Sequence, residues 1–125
     1  MYELTERHEI EQKVKDEGDY KGFVYHDVAC EIKRVGGMGH LCGYLHLDRV
    51  TEDVRDIIDE HFHGGITYEN DDVYGFECIH LGDLTPRHPE RYEMMFSNYE
   101  TYKTMAYVEL CLKRTIDELI HEGVL

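Results

Sequence analysis

Nine histidines are spread over the 125-residue chain, and three short stretches gather the ones best placed for chemistry. The first is His40-Leu41-Cys42 with His46. The second is His61-Phe62-His63-Gly64-Gly65, and the third is Cys78-Ile79-His80-Leu81-Gly82-Asp83. Imidazole, thiolate and carboxylate are the ligand types of zinc and related metals. A divalent metal on His40, His63, His80 and Asp83 is therefore one candidate cofactor. None of the stretches has the HExxH or paired CxxC spacing that makes a metal expected from sequence alone. An ordinary hydrogen-bonded polar interior is the competing account. The same residues also suit acid–base work without metal, since a histidine titrating near neutrality and oriented by a carboxylate such as Asp83 can move protons. On that reading the catalytic candidates are His63, His80 and Asp83. Cys42 or Cys78 would be a nucleophile only with a histidine in hydrogen-bond reach, and strand cysteines are more often small buried hydrophobes.

The run His63-Gly64-Gly65-Ile66-Thr67-Tyr68 adds a second kind of chemistry. Adjacent glycines let a backbone approach another group closely, and free amides there can cradle an anion. His63, Thr67 and Tyr68 would add directional hydrogen bonds. With His40, His80 and Asp83, the candidate ligand-binding set is His40, His63, Gly64, Gly65, Thr67, Tyr68, His80 and Asp83, expected beside one pocket. A tight bulge between strands is the structural alternative. Val35-Gly36-Gly37-Met38-Gly39-His40 lacks the Lys-Ser/Thr of a P-loop and precedes a strand, so it reads as a hairpin turn. Arg87, His88, Arg91 and Tyr92 lie in a proline-bearing stretch that either closes over an anion or is a solvated connection.

The elements that must position these groups are legible from periodicity. Residues 3–17 carry Leu4, Ile10 and Val14 among many charges, which reads as a weak helix or loose arm, broken at Gly18-Asp19. Tyr20 to Val35 is rich in β-formers, and Val28, Cys30 and Ile32 alternate with Ala29, Glu31 and Lys33. His40 to Leu47 puts Leu41, Gly43, Leu45 and Leu47 on one face and His40, Cys42, Tyr44 and His46 on the other. Thr51 suits a helix N-cap, giving a short helix over about 51–59. Val73 to Leu81 reads as a strand with Tyr74, Phe76, Cys78 and His80 on one face. The segment 84–98, with Pro86 and Pro89, reads as a long connection. Tyr102, Met105, Ala106, Glu109, Leu112, Ile116, Leu119 and Ile120 recur at helical steps over 99–122, with Gly123 as a C′ glycine. The pattern predicts an α+β domain over 1–125, with 1–19 as a loose N-terminal helix or arm. A small antiparallel sheet packs on a long C-terminal helix, and a short helix is inserted near 51–59.

Thirteen Lys and Arg against 27 Asp and Glu give a net charge of −14. That sign argues against direct nucleic-acid binding and against docking on anionic membranes. It serves solubility, or lets carboxylates stand in for phosphates in a partner's basic groove. No 18-residue apolar run is present and the first residues are charged throughout, so neither a transmembrane helix nor a secretory signal is expected. A cytoplasmic setting follows, and the four cysteines, without a framework spacing, are expected as free thiols.

Three blocks carry a resemblance: Gly39-His40-Leu41-Cys42-Gly43-Tyr44, His63-Gly64-Gly65-Ile66-Thr67-Tyr68, and Gly75-Phe76-Glu77-Cys78-Ile79-His80-Leu81-Gly82-Asp83. They resemble the GHxxGY, HGG-[LI]-T-Y and GFDxAHxGD blocks of a family of small, uncharacterised phage and prophage proteins. The likeness spans roughly residues 22–122. It departs at Glu77, where relatives carry Asp, and over 47–60, which looks helical where relatives have a Gly/Pro-rich loop. The resemblance names no activity. It implies a phage accessory protein acting inside a bacterial host cell, with counter-defence as its suggested role. Three functions stay open. One is binding, and processing, of a nucleotide-like or other anionic small ligand in the Gly/His-rich pocket. The second is contact inhibition of a host nucleic-acid enzyme by an acidic face, in the manner of an anti-CRISPR protein. The third is a metal-dependent hydrolase. The partner is correspondingly a small anionic ligand or a host defence protein.

Overall fold

The computed structural model describes residues 2–87 and 100–125. The chain runs β1 (Glu3–Leu4), α1 (Arg7–Glu17), β2 (Tyr20–Tyr25), β3 (Val28–Arg34), β4 (Leu41–His46), α2 (Glu52–His61), β5 (Tyr68–Asn70), β6 (Val73–Glu77), β7 (Tyr102–Lys103) and α3 (Met105–His121). Five strands form an antiparallel sheet in the order β2-β3-β4-β6-β5, and β1 pairs with β7 in a separate two-stranded piece. The fold is thus α+β, with α3 packed across β3 and β4 and against α2. Among the described residues no helix is long and apolar enough to cross a membrane.

Period-2 patterning decides which face of the sheet is covered. Cys30, Leu45 and Tyr74 lie in one register row, Ile32, Gly43 and Phe76 in the next, and all the side chains here are buried. Gly43 sets the distance of approach. A Cβ there would stand 2.7 Å from the Phe76 ring and 2.8 Å from a Val108 methyl, so only glycine lets the helix seat. Met105, Val108, Leu112, Thr115, Ile116 and Leu119 are the buried residues of α3. The expected stripe included Ala106, Glu109 and Ile120, which lie off it. Glu109 instead faces Lys21 and Lys113.

Several boundaries depart from the expectation. The β-rich stretch 20–35 is two strands, folded at His26-Asp27, both at positive φ (48° and 65°). His and Asp are among the few non-glycine residues that enter this region readily. The strand from Val73 stops at Glu77, because the chain turns so that the Asp83 amide donates to the His80 carbonyl (2.8 Å). The terminal helix starts at Met105, where Thr104 Oγ1 accepts from the Tyr107 amide (3.2 Å) and fixes the N-cap. The short helix has its expected cap, with Thr51 Oγ1 accepting from the Val54 amide.

The N-terminal helix is docked. Ile10 is fully buried, and Glu17 reaches the guanidinium of Arg34 (3.1 Å) and accepts from the Met105 amide (2.6 Å). Arg34 also donates to the Gly18 and Gly39 carbonyls and to the Tyr102 hydroxyl. One buried ion pair therefore joins α1, β3 and the start of α3.

Candidate functional site

Two loops and one helical turn meet at the end of the sheet where β6 stops. The loop after α2 supplies His63, the turn after β6 supplies His80 and Asp83, and the first turn of α3 supplies Tyr107. Asp83 is the hub. Its side chain is 1% exposed and accepts from His63 Nε2 (2.8 Å to Oδ2, 3.0 Å to Oδ1) and from the His80 backbone amide (2.9 Å). Lys103 Nζ lies 3.1 Å from Oδ1 and 3.2 Å from Glu3 Oε1, bridging the two carboxylates from behind.

Burial opposes ionisation of Asp83. The hydrogen bonds from His63 and the His80 amide, with Lys103 beyond, outweigh it and hold the carboxyl below its ordinary value. A carboxylate accepts only, so His63 Nε2 carries the hydrogen. The other ring nitrogen, Nδ1, stands 2.7 Å from the Tyr107 hydroxyl, which can donate to it. Burial pushes the Tyr107 hydroxyl up to about 12, so it is a donor throughout the physiological range.

His80 differs from His63. Its ring centroid lies 5.5 Å from that of His63 and its side chain is 30% exposed, yet its Nδ1 is buried without a hydrogen bond, 3.5 Å from Asp83 Oδ2. The ring rests on Gly64. A Cβ at Gly64 would lie 2.4 Å from the imidazole, and φ there is +73°. The close approach expected of the glycine pair is therefore an approach to a side chain. Gly65 makes room for Asp59, whose carboxylate accepts from the Ile66 amide (2.8 Å). The Gly65 amide donates to the Phe62 carbonyl, and the Thr67 amide to the Gly75 carbonyl. These three amides are therefore taken up by the protein itself.

The other expected members lie at varying distance. His40 is buried, with its Nδ1 unpartnered. Desolvation lowers its pKa, against the pull of the Glu77 and Asp83 charges, so it stands within their field. Tyr68 pairs opposite Gly75, on the open face of the sheet, where its ring meets Tyr44 edge-on at 5.4 Å. His46 is on that face too, bonded to Glu31 (2.7 Å). Of the residues expected to converge, His40, Cys42, His46, Cys78 and His80, His46 lies opposite Val73, at the end of β6 away from Glu77 and the His80 turn, so it does not join the others. Arg87 packs on Gly39 and reaches toward Asp19 (3.7 Å). His88, Arg91 and Tyr92 lie outside the described residues.

The thiols are poor nucleophiles. All four are unpaired, and burial raises the Cys42 thiol to about 11 and the Cys78 thiol well above its ordinary value. Lys103, Tyr107 and Glu3 complete the cluster and escaped the sequence reading. Each is separated from the histidine blocks in the chain and sits in a segment read for its helical period. No family model matches the chain, and no curated protein or solved structure matches it either, so the site's chemistry rests on its own geometry.

Proposed function

We propose that the chain binds and processes a small anionic molecule, nucleotide-like in chemistry, at the centre formed by His63, His80 and Asp83. The observation that carries this reading is an ionised carboxylate with 1% exposure shared between two imidazoles, one of them a third open to solvent. Perturbed, buried ionisable groups beside an accessible histidine are the usual equipment of a reaction centre. With the thiols protonated, the chemistry left to these side chains is proton transfer and the activation of water. His80 presents its ring edge outward to meet the ligand, and Asp83, His63 and Tyr107 hold the frame behind it. In the setting that the phage resemblance implies, such a protein works inside a bacterial host cell and acts on a small molecule of host or phage origin. Thermal-shift screening of the purified protein against nucleotides and inorganic phosphate tests the reading. A ligand that raises the melting temperature of the wild type, and of neither His63→Ala nor His80→Ala, supports it. Equal shifts in all three proteins would remove it.

A second reading is favoured by the distribution of charge. Glu52, Asp53, Asp56, Asp59 and Glu60 of α2, with Glu69, Asp71 and Asp72 of the β5–β6 hairpin, are all exposed. An Arg55–Glu69 ion pair joins the two elements (2.9 Å). On this reading the acidic end contacts a basic groove of a host nucleic-acid enzyme. In phage-challenged cells, neutralising Asp56, Asp59 and Glu60 would then abolish the protein's effect while His80→Ala leaves it intact. The opposite pattern favours the small-ligand centre.

A further inference from the structure

The geometry points to a divalent-metal site of the zinc class at this centre, with His63 Nε2, His80 Nδ1 and Asp83 Oδ2 as the three protein ligands. The inference rests on the reading of the cluster as a functional centre and names the cofactor it would use.

Three observations carry it. The three ligand atoms lie within 4.8 Å of one another. Two ligands bound tetrahedrally at about 2.1 Å stand about 3.4 Å apart, and His80 Nδ1 already stands 3.5 Å from Asp83 Oδ2. The second observation is the His80 nitrogen itself. It is buried, aimed at a carboxylate and without a hydrogen bond. Buried polar atoms are nearly always satisfied, and an orphan calls for a water or an ion. The third is the outer shell. A metal-bound histidine usually donates its second ring N–H to an oxygen. Tyr107 Oη stands 2.7 Å from His63 Nδ1 and can accept that hydrogen as readily as it now donates one. Asp83 is held in place by the His80 amide on Oδ2 and by Lys103 on Oδ1.

Binding requires a change of tautomer at His63. The His63 hydrogen bond to Asp83 breaks, the single ring hydrogen passes from Nε2 to Nδ1 by exchange with solvent, and the Tyr107 hydroxyl turns from donor to acceptor, so no net proton is released. The Lys103 ammonium opposes the metal. Its charge is offset by Glu3 at 3.2 Å, and it occupies only the Oδ1 side of the carboxylate. Two imidazoles and one carboxylate select borderline cations such as Zn²⁺ and Co²⁺ over the oxygen-seeking Ca²⁺ and Mg²⁺. Three protein ligands leave a fourth position on the side where His80 is exposed. That is the arrangement of catalytic rather than structural zinc, and it lowers the pKa of bound water toward 7.

The test uses the full chain, stripped with chelator and titrated with Co²⁺ while visible absorption is recorded. One equivalent per chain should bind, with the intense bands of a four- or five-coordinate site. His80→Ala should weaken binding by at least about tenfold, and Asp83→Asn and His63→Ala likewise, whereas His46→Ala on the open face should match the wild type. Circular dichroism checks that each variant is folded. Should Asp83→Asn or His63→Ala fail to fold, the partly exposed His80→Ala decides alone. No binding by folded wild type, or binding that His80→Ala leaves unchanged, overturns the metal site. If metal-free protein still shows a ligand-induced thermal shift that His80→Ala removes, the metal inference is lost and the small-ligand centre stands.

Discussion

Two buried polar clusters among the described residues are built from similar parts and finished differently. Around Arg34, every nitrogen of the guanidinium has an acceptor: Gly18, Asp19, Gly39, Glu17 and Tyr102 divide the donors between them. The Arg34 side chain is 1% exposed and the Glu17 side chain 7%. Around Asp83, the carboxylate is as deeply buried, but a neighbouring histidine is open to solvent and one of its nitrogens has no partner. A closed network fixes the fold, since any loss from it strands a charge in the interior. An unclosed one gives up some stability and leaves groups free to meet something else. On the proposed reading, the unclosed cluster is where the protein works.

The largest effect should come from the closed cluster. Arg34→Met leaves Glu17 buried without its cation and is expected to cost about 3–5 kcal/mol in denaturant unfolding. A loss below about 1 kcal/mol would erase the contrast. Leu112→Ala provides an apolar reference at a fully buried position of α3, with an expected cost of about 2–5 kcal/mol. A change within the noise of surface substitutions would mean that α3 packs on a different face.

Gly64→Ala sharpens the comparison at the open cluster. It combines a positive φ with a Cβ thrust into the His80 ring, and should cost about 1–3 kcal/mol. The imidazole resonances of His80 should move with it. A neutral substitution would show that the ring does not rest on this glycine.

The carboxylate itself gives a pH signature. Its native pKa is depressed, so the stability it contributes is fully present above the unfolded value of about 3.9 and is lost as pH falls through the native value. The stability gap between wild type and Asp83→Asn should therefore be constant near neutrality and shrink as pH drops from about 5 toward 3. A gap that stays level over that range would mean that Asp83 is not held ionised by its partners.

Much of this arrangement was legible in the sequence, and the failures have physical causes. Alternation of Val28, Cys30 and Ile32, and of Leu41, Gly43 and Leu45, marked the covered face, because burial on one side of a strand imposes period 2. The meeting of His63 with His80 and Asp83 was readable from the glycine pair, which signals close approach, although the partner proved to be an imidazole. Tyr68 was misplaced because one residue of register sends a side chain to the opposite face, and register is not local information. The hairpin at His26-Asp27 was missed because no glycine announces it. Lys103, Tyr107 and Glu3 had no signal at all. Glu3 and Lys103 meet through β1 pairing with β7, and Tyr107 reaches His63 from the first turn of α3, contacts that composition and periodicity do not encode.

The smallest expected effect is the most informative. The central claim is that His80, in the Asp83 cluster, is open to a ligand and is not one of the groups that hold the fold together. The unfolding free energy of His80→Ala, measured beside wild type in chelator-treated buffer without ligand, tests it most directly. The account predicts a difference within about 0.5 kcal/mol, as for a surface position, because the ring leaves behind no partner that depended on its nitrogens. A loss of about 1–3 kcal/mol, the cost of orphaned hydrogen-bond partners, would show that His80 is one more satisfied interior group and would contradict the account.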